Sequence, residues 1–333
     1  MKSFLVKKGY EQLFLEDNPP EKLAPHEVRV AVKAVSLNYR DLLNLKFQAQ
    51  DPFVAMSDGA GEVIEIGLNV KDLKVGDRVI GLFFPDWQAG KINAENSLKA
   101  RGGNGCDGML AEQVVGDSDS FVKFPDHLTY REAATLPCAG LTAWNALFEY
   151  GEAKLGDTVV IQGTGGVGLY TLQLAKAAGL NTILLSSKDH LAEKLTALGA
   201  DAIINYKKTP NWDEEVIRLT EGKGADIVIE LGGSGTLQKS LNAVKVNGYI
   251  SMIGVLSGLE GTINPLPIIA KSINVKGVYV GSKEMQNRFH EAMKTLKLKP
   301  VLDDSTFDFE DSQDAYEYQS KAKHIGNVVI SIA

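Results

Sequence analysis

The chain has 333 residues, of which 44% are hydrophobic and 23% charged, and its formal net charge is -7. This length exceeds the roughly 250 to 300 residues at which a single hydrophobic core stops growing, so we expect two domains. The average composition argues against disorder, and the acidic balance argues against the clustered Lys and Arg of a nucleic-acid or anionic-membrane site.

The chain start, "MKSFLVKKGYEQ", has no apolar run of signal-peptide length, and no later stretch approaches the roughly 20 apolar residues of a membrane span. We therefore expect a cytoplasmic protein. The cysteines, Cys106 and Cys138, are far apart, and the scattered histidines lack the spacing of zinc ligands. Neither a disulfide framework nor a zinc lobe is expected.

The predicted elements change in character near residues 125 to 140. Before that point come short strand-like segments bounded by turn residues, such as "HEVRVAVKAVSLN", "GAGEVIEIG" and "DRVIGLF". Later, apolar runs alternate with helical patterns, as in "DTVVIQG", "LYTLQLAKAAG", "NTILLSS" and "HLAEKLTALGA". This alternation predicts a doubly wound parallel sheet. After it, "KEMQNRFHEAMKTLKL" predicts an amphipathic helix and "HIGNVVISIA" a last strand that rejoins the N-terminal β domain.

A glycine-rich run, "IQGTGGVG", lies between a buried strand and a helix. Gly163, Gly165 and Gly168 fit the pattern GxGxxG: the first allows a tight turn, the second lets the backbone approach a pyrophosphate, and the third allows close packing of helix on strand. Gly166 and Val167 complete the same turn. In this context the pattern predicts a dinucleotide site, with the phosphates at the start of the following helix.

The end of the second strand of this sheet indicates which dinucleotide binds. NAD sites usually place Asp or Glu there to accept the ribose hydroxyls, whereas this strand ends in Ser186, Ser187 and Lys188. Hydroxyls and a cation suit the 2′-phosphate of NADPH. The alternative is that Ser187 only caps the next helix and Lys188 is solvated.

Several ordered segments carry a resemblance to a known family, among them "SLNYRDLL", "GAGEVIEIG", "VGDRVIGL", "EAATLPCAGLTAW" and "LGADAIINY". With them the chain resembles the medium-chain dehydrogenase/reductase superfamily, and within it the zinc-independent branch of quinone oxidoreductase and enoyl reductase-like proteins. The resemblance implies an α/β protein with a GroES-like, mainly-β catalytic domain of residues 1–124 and 282–333. It also implies a Rossmann domain, a doubly wound parallel sheet, of residues 125–281, and a homodimer.

The resemblance also allows the zinc ligands to be compared. The positions of the family's catalytic ligands hold Asn38, Ser57, Asp58 and Cys138, so one carboxyl group and one thiol remain. A catalytic zinc usually has three strong protein ligands. The segment that matches the family's structural zinc lobe has a single cysteine, Cys106. We therefore expect no zinc.

Without zinc, hydride addition to a quinone or an enone is easier than reduction of a simple ketone, because the negative charge spreads into an enolate that hydrogen-bond donors can hold. The resemblance implies that Asn38 donates to the carbonyl oxygen and that Tyr39 donates there or supplies the α proton. The alternative is that "LNYRDLL" is only a helix start in which Arg40 and Asp41 pair.

The remaining site residues come from the resemblance and from loop position. The resemblance implies that Thr142 lies at the nicotinamide end of the cofactor and that Tyr206 lies beside the 2′-phosphate. It also implies that the backbone groups of Gly254 and Val255 hold the carboxamide. The substrate pocket is assigned to Asp58, Cys138 and Trp87, with the alternative that Trp87 only anchors its long loop.

These features predict an NADPH-dependent, zinc-independent reductase of quinones or activated alkenes that acts on a small-molecule substrate. One alternative is a metal-free NADP(H)-dependent alcohol dehydrogenase or aldehyde reductase. Another, of a different class, is a non-catalytic NADPH-binding protein. Spacing alone leaves the physiological substrate open, because it depends on loop geometry.

Overall fold

The computed structural model describes residues 1–47, 52–103 and 105–332. In chain order its strands are β1 Lys2–Val6, β2 Leu13–Asp17, β3 Glu27–Ser36, β4 Phe53–Val54, β5 Asp58–Ile66, β6 Arg78–Gly81, β7 Gln113–Asp117, β8 Phe121–Lys123, β9 Thr158–Gln162, β10 Asn181–Leu185, β11 Ala202–Ile204, β12 Ala225–Glu230, β13 Val244–Met252, β14 Asn274–Gly277, β15 Phe307–Asp308 and β16 Val329–Ser331. Its α-helices are α1 Tyr39–Phe47, α2 Tyr130–Ala133, α3 Leu141–Trp144, α4 Gly166–Ala177, α5 Ala192–Ala197, α6 Trp212–Leu219, α7 Leu237–Ala243, α8 Leu266–Ala270, α9 Lys283–Leu296 and α10 Ser312–Ser320. Short 3-10 turns at Ser118–Ser120, Asp189–Leu191 and Phe309–Asp311 and π-helical turns at Leu136–Gly140 and Asn145–Glu149 complete the set.

The first compact unit comprises Met1–Leu141 and Val280–Ala333. Its main sheet has the order β15-β16-β3-β5-β6-β8, with β7 also paired to β3. The antiparallel register of β3 and β5 sets Ser36 opposite Asp58 at one end of the pair. The segment that follows β3, which contains Asn38 and Tyr39, therefore starts beside Asp58.

Both ends of the chain contribute to this unit. β16 pairs antiparallel with β3, with Ile330 opposite Val35, so the prediction that the last strand rejoins the N-terminal β domain is confirmed. The core contains side chains from both ends, including Val32 and Ile330. Burial of this apolar surface removes it from water, which stabilises the fold.

The first unit also includes residues that we assigned to the other domain. α2 packs against β3, β5 and β16. Its Tyr130 hydroxyl donates to Glu62 at 3.3 Å, and Arg131 donates to Ser331 at 2.8 Å. Because these contacts tie the segment to the first unit, the structure divides the chain after Leu141 and before Val280, in place of the predicted divisions at 124/125 and 281/282.

The second unit, Thr142–Tyr279, is a parallel sheet with the strand order β11-β10-β9-β12-β13-β14. The predicted doubly wound parallel sheet is confirmed. The strands are apolar because helices cover them: Val160, Val228 and Ile250 are completely buried. The carboxyl ends of β9, β10, β12 and β13 share one edge of the sheet, which is where such folds bind ligands.

Candidate cofactor site and catalytic segment

The glycine-rich turn joins β9 to α4 in the second unit. Gly163 has a φ of +81°, a conformation that L side chains rarely adopt. Gly165 precedes the helix in an extended conformation with no side-chain cap. A Cβ on Gly168 would lie 2.3 Å from the Gly163 carbonyl oxygen, so the helix can approach the strand only because Gly168 has none.

The first turn of α4, which includes Gly166 and Val167, offers its N–H groups and the positive end of the helix dipole. The N-cap residue, Gly165, has no side chain that could hydrogen-bond to these donors. Such a helix start binds phosphate groups. The residues of this turn therefore fit the pyrophosphate of a dinucleotide.

The structure brings together the four residues predicted around the 2′-phosphate. The Tyr206 hydroxyl donates to Ser187 Oγ at 3.2 Å. The Lys188 N–H donates to Ser186 Oγ at 3.1 Å. Ser187 does not cap the next helical turn: the cap position is Lys188, and its side chain makes no cap bond. The alternative for Ser187 is therefore not what the structure shows.

Sequence reasoning missed a carboxylate in this segment. Asp189 accepts from Lys208 Nζ and from Asn205 Nδ2, both at 2.7 Å. The hydrogen bond from Lys208 and that from Asn205 lower the pKa of Asp189. Lys208 thus balances a negative charge that lies one residue beyond Lys188. Lys207 and Lys208 directly after Tyr206 were the available sequence signal.

The predicted carboxamide residues lie in the loop after β13. Gly254 N–H donates to the Glu230 carbonyl oxygen at 3.2 Å. A Cβ on Gly254 would lie 2.3 Å from the Leu231 carbonyl oxygen, so this position also requires glycine. Val255 follows in the same loop, and Thr142, at the start of the unit, is buried. Their contact with a carboxamide stays a prediction.

In the first unit, Asn38 and Tyr39 stand at the start of α1. The Asn38 N–H donates to the Asp41 carboxyl group at 2.8 Å, and Arg40 pairs with Asp41 at 3.2 Å. These are the contacts of a helix start, as the alternative stated. They leave the Tyr39 side chain 40% exposed, whereas the Asn38 side chain hydrogen-bonds to Asp58 and makes a long contact of 3.4 Å with the Ser36 carbonyl oxygen. The Tyr39 side chain is therefore accessible to another partner.

Asp58 is a buried carboxyl group of this segment whose pKa is raised. It is completely buried, and its oxygens accept from Ser57 Oγ at 2.6 Å and from the Cys138 N–H at 2.9 Å. Burial, with a smaller contribution from the nearby Asp41, raises its pKa to about 7, although the hydrogen bonds from Ser57, Cys138 and Asn38 oppose the shift. The group is therefore close to half-protonated at neutral pH.

These residues do not fit a catalytic zinc. Asp58 already uses both oxygens for hydrogen bonds, and Asn38 and Ser57 are weak ligands. Within residues 1–47, 52–103 and 105–332, no group of at least three His, Cys, Asp and Glu side chains is placed to hold a metal ion. Whether the protein binds zinc stays a prediction.

Trp87 is 1% exposed. It packs against Phe84, and its indole N–H donates to the Gly90 carbonyl oxygen at 3.1 Å. Its own carbonyl oxygen accepts from the Lys283 N–H at the start of α9. These contacts hold the long loop in place, and the role of Trp87 as a pocket wall stays a prediction.

Two family models match the chain. Residues 24–126 match the alcohol dehydrogenase GroES-like domain, and residues 166–297 match the zinc-binding dehydrogenase domain. A zinc-type alcohol dehydrogenase-like protein of Schizosaccharomyces pombe is 40% identical over 97% of this chain and 96% of its own. The chain thus belongs to the medium-chain dehydrogenase/reductase superfamily, whose GroES-like and Rossmann domains are the two units described above.

Further relatives agree on the class of activity. A quinone oxidoreductase-like protein 2 homolog of Nematostella vectensis is 29% identical over 96% of this chain and 86% of its own. The crystal structure of a candidate alcohol dehydrogenase from Sinorhizobium meliloti superposes with a TM-score of 0.91 at 38% identity, over 99% of both chains. The protein is an NAD(P)H-dependent oxidoreductase.

Proposed function

We propose that this oxidoreductase is an NADPH-dependent, zinc-independent reductase of quinones or of alkenes conjugated to a carbonyl group. The observation that carries the proposal concerns the positions where the family's zinc enzymes have their catalytic ligands. Here these positions hold Asn38, Ser57, Asp58 and Cys138, and both Asp58 oxygens are already hydrogen-bonded. When bound, the nicotinamide cofactor supplies the hydride. The protein then has to stabilise the resulting negative charge with hydrogen bonds, which suits a delocalised enolate better than an alkoxide.

Two side chains of the catalytic segment can perform that task. The Asn38 amide hydrogen-bonds to Asp58 and can exchange its long contact with the Ser36 carbonyl oxygen for a hydrogen bond to the substrate carbonyl oxygen. The Tyr39 phenol, 40% exposed, can donate there or protonate the α carbon. The helix start fixes their backbone, because Asp41 binds the Asn38 N–H.

A second candidate is a metal-free NADP(H)-dependent alcohol dehydrogenase or aldehyde reductase. The names of the relatives in yeast and Sinorhizobium favour it. The third candidate, a non-catalytic NADPH-binding protein, predicts cofactor binding without turnover. All three take the same cofactor, so the substrate range separates them.

A substrate panel tests the proposed function. We expect quinones and enones to be reduced at least about tenfold faster than saturated aldehydes, because a Lewis acid is worth several kcal/mol in the reduction of simple carbonyl groups. Steady oxidation of NADPH in the presence of a strong chelator is the measurement, and rates should not change when the chelator is added.

Tyr39→Phe and Asn38→Ala should each lower kcat by roughly ten- to a hundredfold, whereas Tyr10→Phe, at an exposed tyrosine, should not.

A different result would reject the proposal. One tightly bound zinc per chain, whose removal abolishes turnover, contradicts zinc independence. A preference for saturated aldehydes or simple alcohols supports the second candidate, and binding of NADPH without any turnover supports the third.

The cofactor preference rests on the segment formed by Ser186, Ser187, Lys188 and Tyr206. One charge-assisted hydrogen bond of roughly 1.5 to 3 kcal/mol, or two at the lower end of that range, would favour NADPH over NADH by roughly tenfold to a few hundredfold. Lys188→Ala should raise KM for NADPH and leave KM for NADH nearly unchanged. Ser187→Asp should shift preference toward NADH, because a carboxylate repels the phosphate and accepts from the ribose hydroxyls.

Lys223→Ala is the matched control, since Lys223 is an exposed lysine of the same unit that pairs with Glu221. It should change neither KM. A native protein that prefers NADH, or a Lys188→Ala variant that loses both cofactors equally, would show that this segment does not bind a 2′-phosphate.

We also propose a cytoplasmic homodimer that acts on a small molecule and binds neither nucleic acid nor membrane. Among the described residues, no helix combines the length and apolar character needed to cross a bilayer. The edge strand β14 leaves all four of its residues exposed, and an exposed strand edge is able to pair with a second copy. The molar mass in solution tests the dimer.

A further inference from the structure

A buried polar pair connects the ends of two neighbouring strands in the second unit. Gln162 is the last residue of β9, and Glu230 is the last residue of β12. Gln162 Nε2 donates to Glu230 Oε2 at 2.7 Å. The Glu230 side chain is completely buried, and Gln162 is almost so. Because Gln162 directly precedes Gly163, the pair lies beside the glycine-rich turn.

The carboxyl group of Glu230 organises the loop that follows β12. Its Oε1 accepts from the N–H groups of Gly232 and Gly233, at 2.8 and 2.9 Å, and from the Thr236 hydroxyl at 2.5 Å. Its Oε2 also accepts from the Ser240 hydroxyl in α7. A buried carboxyl group is tolerated only when hydrogen bonds replace its water. Here most of those bonds come from a single loop.

Gln162 holds the same loop from the other side. Its Oε1 accepts from the N–H groups of Leu231 and Gly232, both at 3.0 Å. The side-chain amide therefore connects the loop after β12 to the end of β9, next to Gly163. Backbone hydrogen bonds join this loop to the loop after β13, whereas the side chains of Gln162 and Glu230 join it to the end of β9.

The loop after β13 in turn depends on the loop after β12. The Ile253 N–H donates to the Glu230 carbonyl oxygen at 2.9 Å, and the Ser257 N–H donates to the Gly232 carbonyl oxygen at 2.7 Å. The Ser257 hydroxyl also donates to that Gly232 oxygen at 2.7 Å. Three segments at the ligand-binding edge are thus joined through Glu230 and Gln162.

We propose that Glu230, acting through Gln162, is a positioning residue for the nicotinamide cofactor. It fixes the glycine-rich turn relative to the loops after β12 and β13, so that the binding groups are in place before the cofactor arrives. The inference rests on dinucleotide binding by the second unit and not on the choice of NADPH or of substrate. An apolar pair would fill the same space without the need for buried hydrogen bonds, so the polar pair serves the geometry of the loops.

Exchange of the two side-chain types tests this proposal. In Glu230→Gln, the new amide nitrogen faces Gln162 Nε2, so two donors meet. If either amide rotates by half a turn instead, its NH₂ group faces the backbone N–H groups of the loop after β12. In Gln162→Glu, two carboxyl groups face each other. We expect each variant to raise Kd for the cofactor roughly tenfold or more, the fold-change of about one lost hydrogen bond. NADPH and NADH should weaken by the same factor, because the network does not involve the 2′-phosphate segment.

The double variant Gln162→Glu/Glu230→Gln restores a donor opposite an acceptor. The new glutamine can donate to the new glutamate, while its oxygen still accepts from the loop and the Ser240 hydroxyl turns to accept. We expect Kd to return to within about threefold of the native value, a non-additive effect that marks a direct interaction. Calorimetric titration with each cofactor gives Kd, and urea unfolding of the same samples gives the stability.

Asp226→Asn is the matched control, because Asp226 is buried in part at the opposite end of β12, where it accepts from the Thr158 N–H at 2.7 Å. This change should lower stability and leave Kd unchanged.

If either single variant does not fold, Thr236→Val, which removes one donor from Glu230, should raise Kd about threefold or more. Single variants that are less stable but bind both cofactors with native Kd would overturn the proposal, as would a double variant that regains stability without regaining affinity. A native preference for NADH would reject the NADPH assignment and leave this test intact.

Discussion

Replacement of Asp58 by Asn is expected to raise the free energy of unfolding, and the gain should increase by roughly 2 to 3 kcal/mol between pH 5 and pH 8. Burial, with a smaller contribution from the nearby Asp41, raises the pKa of Asp58 from 3.8 to about 7. The neutral amide resembles the protonated carboxyl group in size, and it can take the same partners, Ser57 Oγ and the Cys138 N–H.

The direction follows from the two pKa values. Because the folded-state pKa lies above that of the unfolded chain, the unfolded chain releases its proton first as the pH rises. The stability that comes from the protonated Asp58 is full below about pH 4 and is lost progressively up to about pH 7. The Asn variant has no proton to release and keeps its stability over this range.

Urea unfolding at pH 5 and pH 8 measures the effect. Asp201→Asn is the control: burial opposes the shift, but the hydrogen bond from Lys176 and those from Thr182 outweigh it and lower the Asp201 pKa. Both measurements then lie above the titration range of Asp201, so its loss of stability should be equal at the two pH values. An advantage of Asp58→Asn that stays constant or shrinks from pH 5 to pH 8 would refute the expected titration.

Gly168→Ala is expected to weaken binding of both NADPH and NADH by roughly ten- to a hundredfold. A Cβ at this position would lie 2.3 Å from the Gly163 carbonyl oxygen, so the start of α4 must move away from the end of β9. Overpacking of this kind costs roughly 1 to 3 kcal/mol. The displaced helix start would no longer direct its N–H groups at the pyrophosphate.

Calorimetric titration of the variant with each cofactor is the measurement. Gly277→Ala is the control, because a Cβ on Gly277 in the same unit would meet no atom within 4 Å. Gly163→Ala separates strain from collision: it meets no atom either, but its φ of +81° is unfavourable for alanine. Native affinity in Gly168→Ala would show that this close approach does not set the phosphate site.

Features encoded by local patterns were predictable from the sequence. The amphipathic helix after residue 281 appears as α9, Lys283–Leu296, with Ser282 as its N-cap. The glycine-rich turn was recognisable because its demands, a positive φ at Gly163 and no side chain at Gly168, are properties of the backbone itself. Patterns of this kind do not depend on distant contacts.

Features that depend on contacts between distant residues were not predictable. Asp189 and Lys208 lie 2.7 Å apart only because β10 and β11 are neighbours in the sheet. The limit of the first compact unit at Leu141 was not predictable, because the helical pattern after residue 125 does not reveal that α2 packs on β3 and β5. The same holds for Glu230, since its partner Gln162 lies on another strand.

The discontinuous first unit has a consequence for how the protein folds during synthesis. β3 is made early, but its neighbour β16 lies almost at the chain end, with Val35 opposite Ile330. β7 pairs only with residues Glu27 to Ala31 of β3, so until β16 arrives the edge at Ala34, Val35 and Ser36 stays open. Open strand edges are sites of aggregation. The second unit, Thr142–Tyr279, is continuous and can fold as soon as it has been synthesised. Its folding then shortens the effective loop that the first unit must close, which lowers the entropy lost when the two chain ends meet.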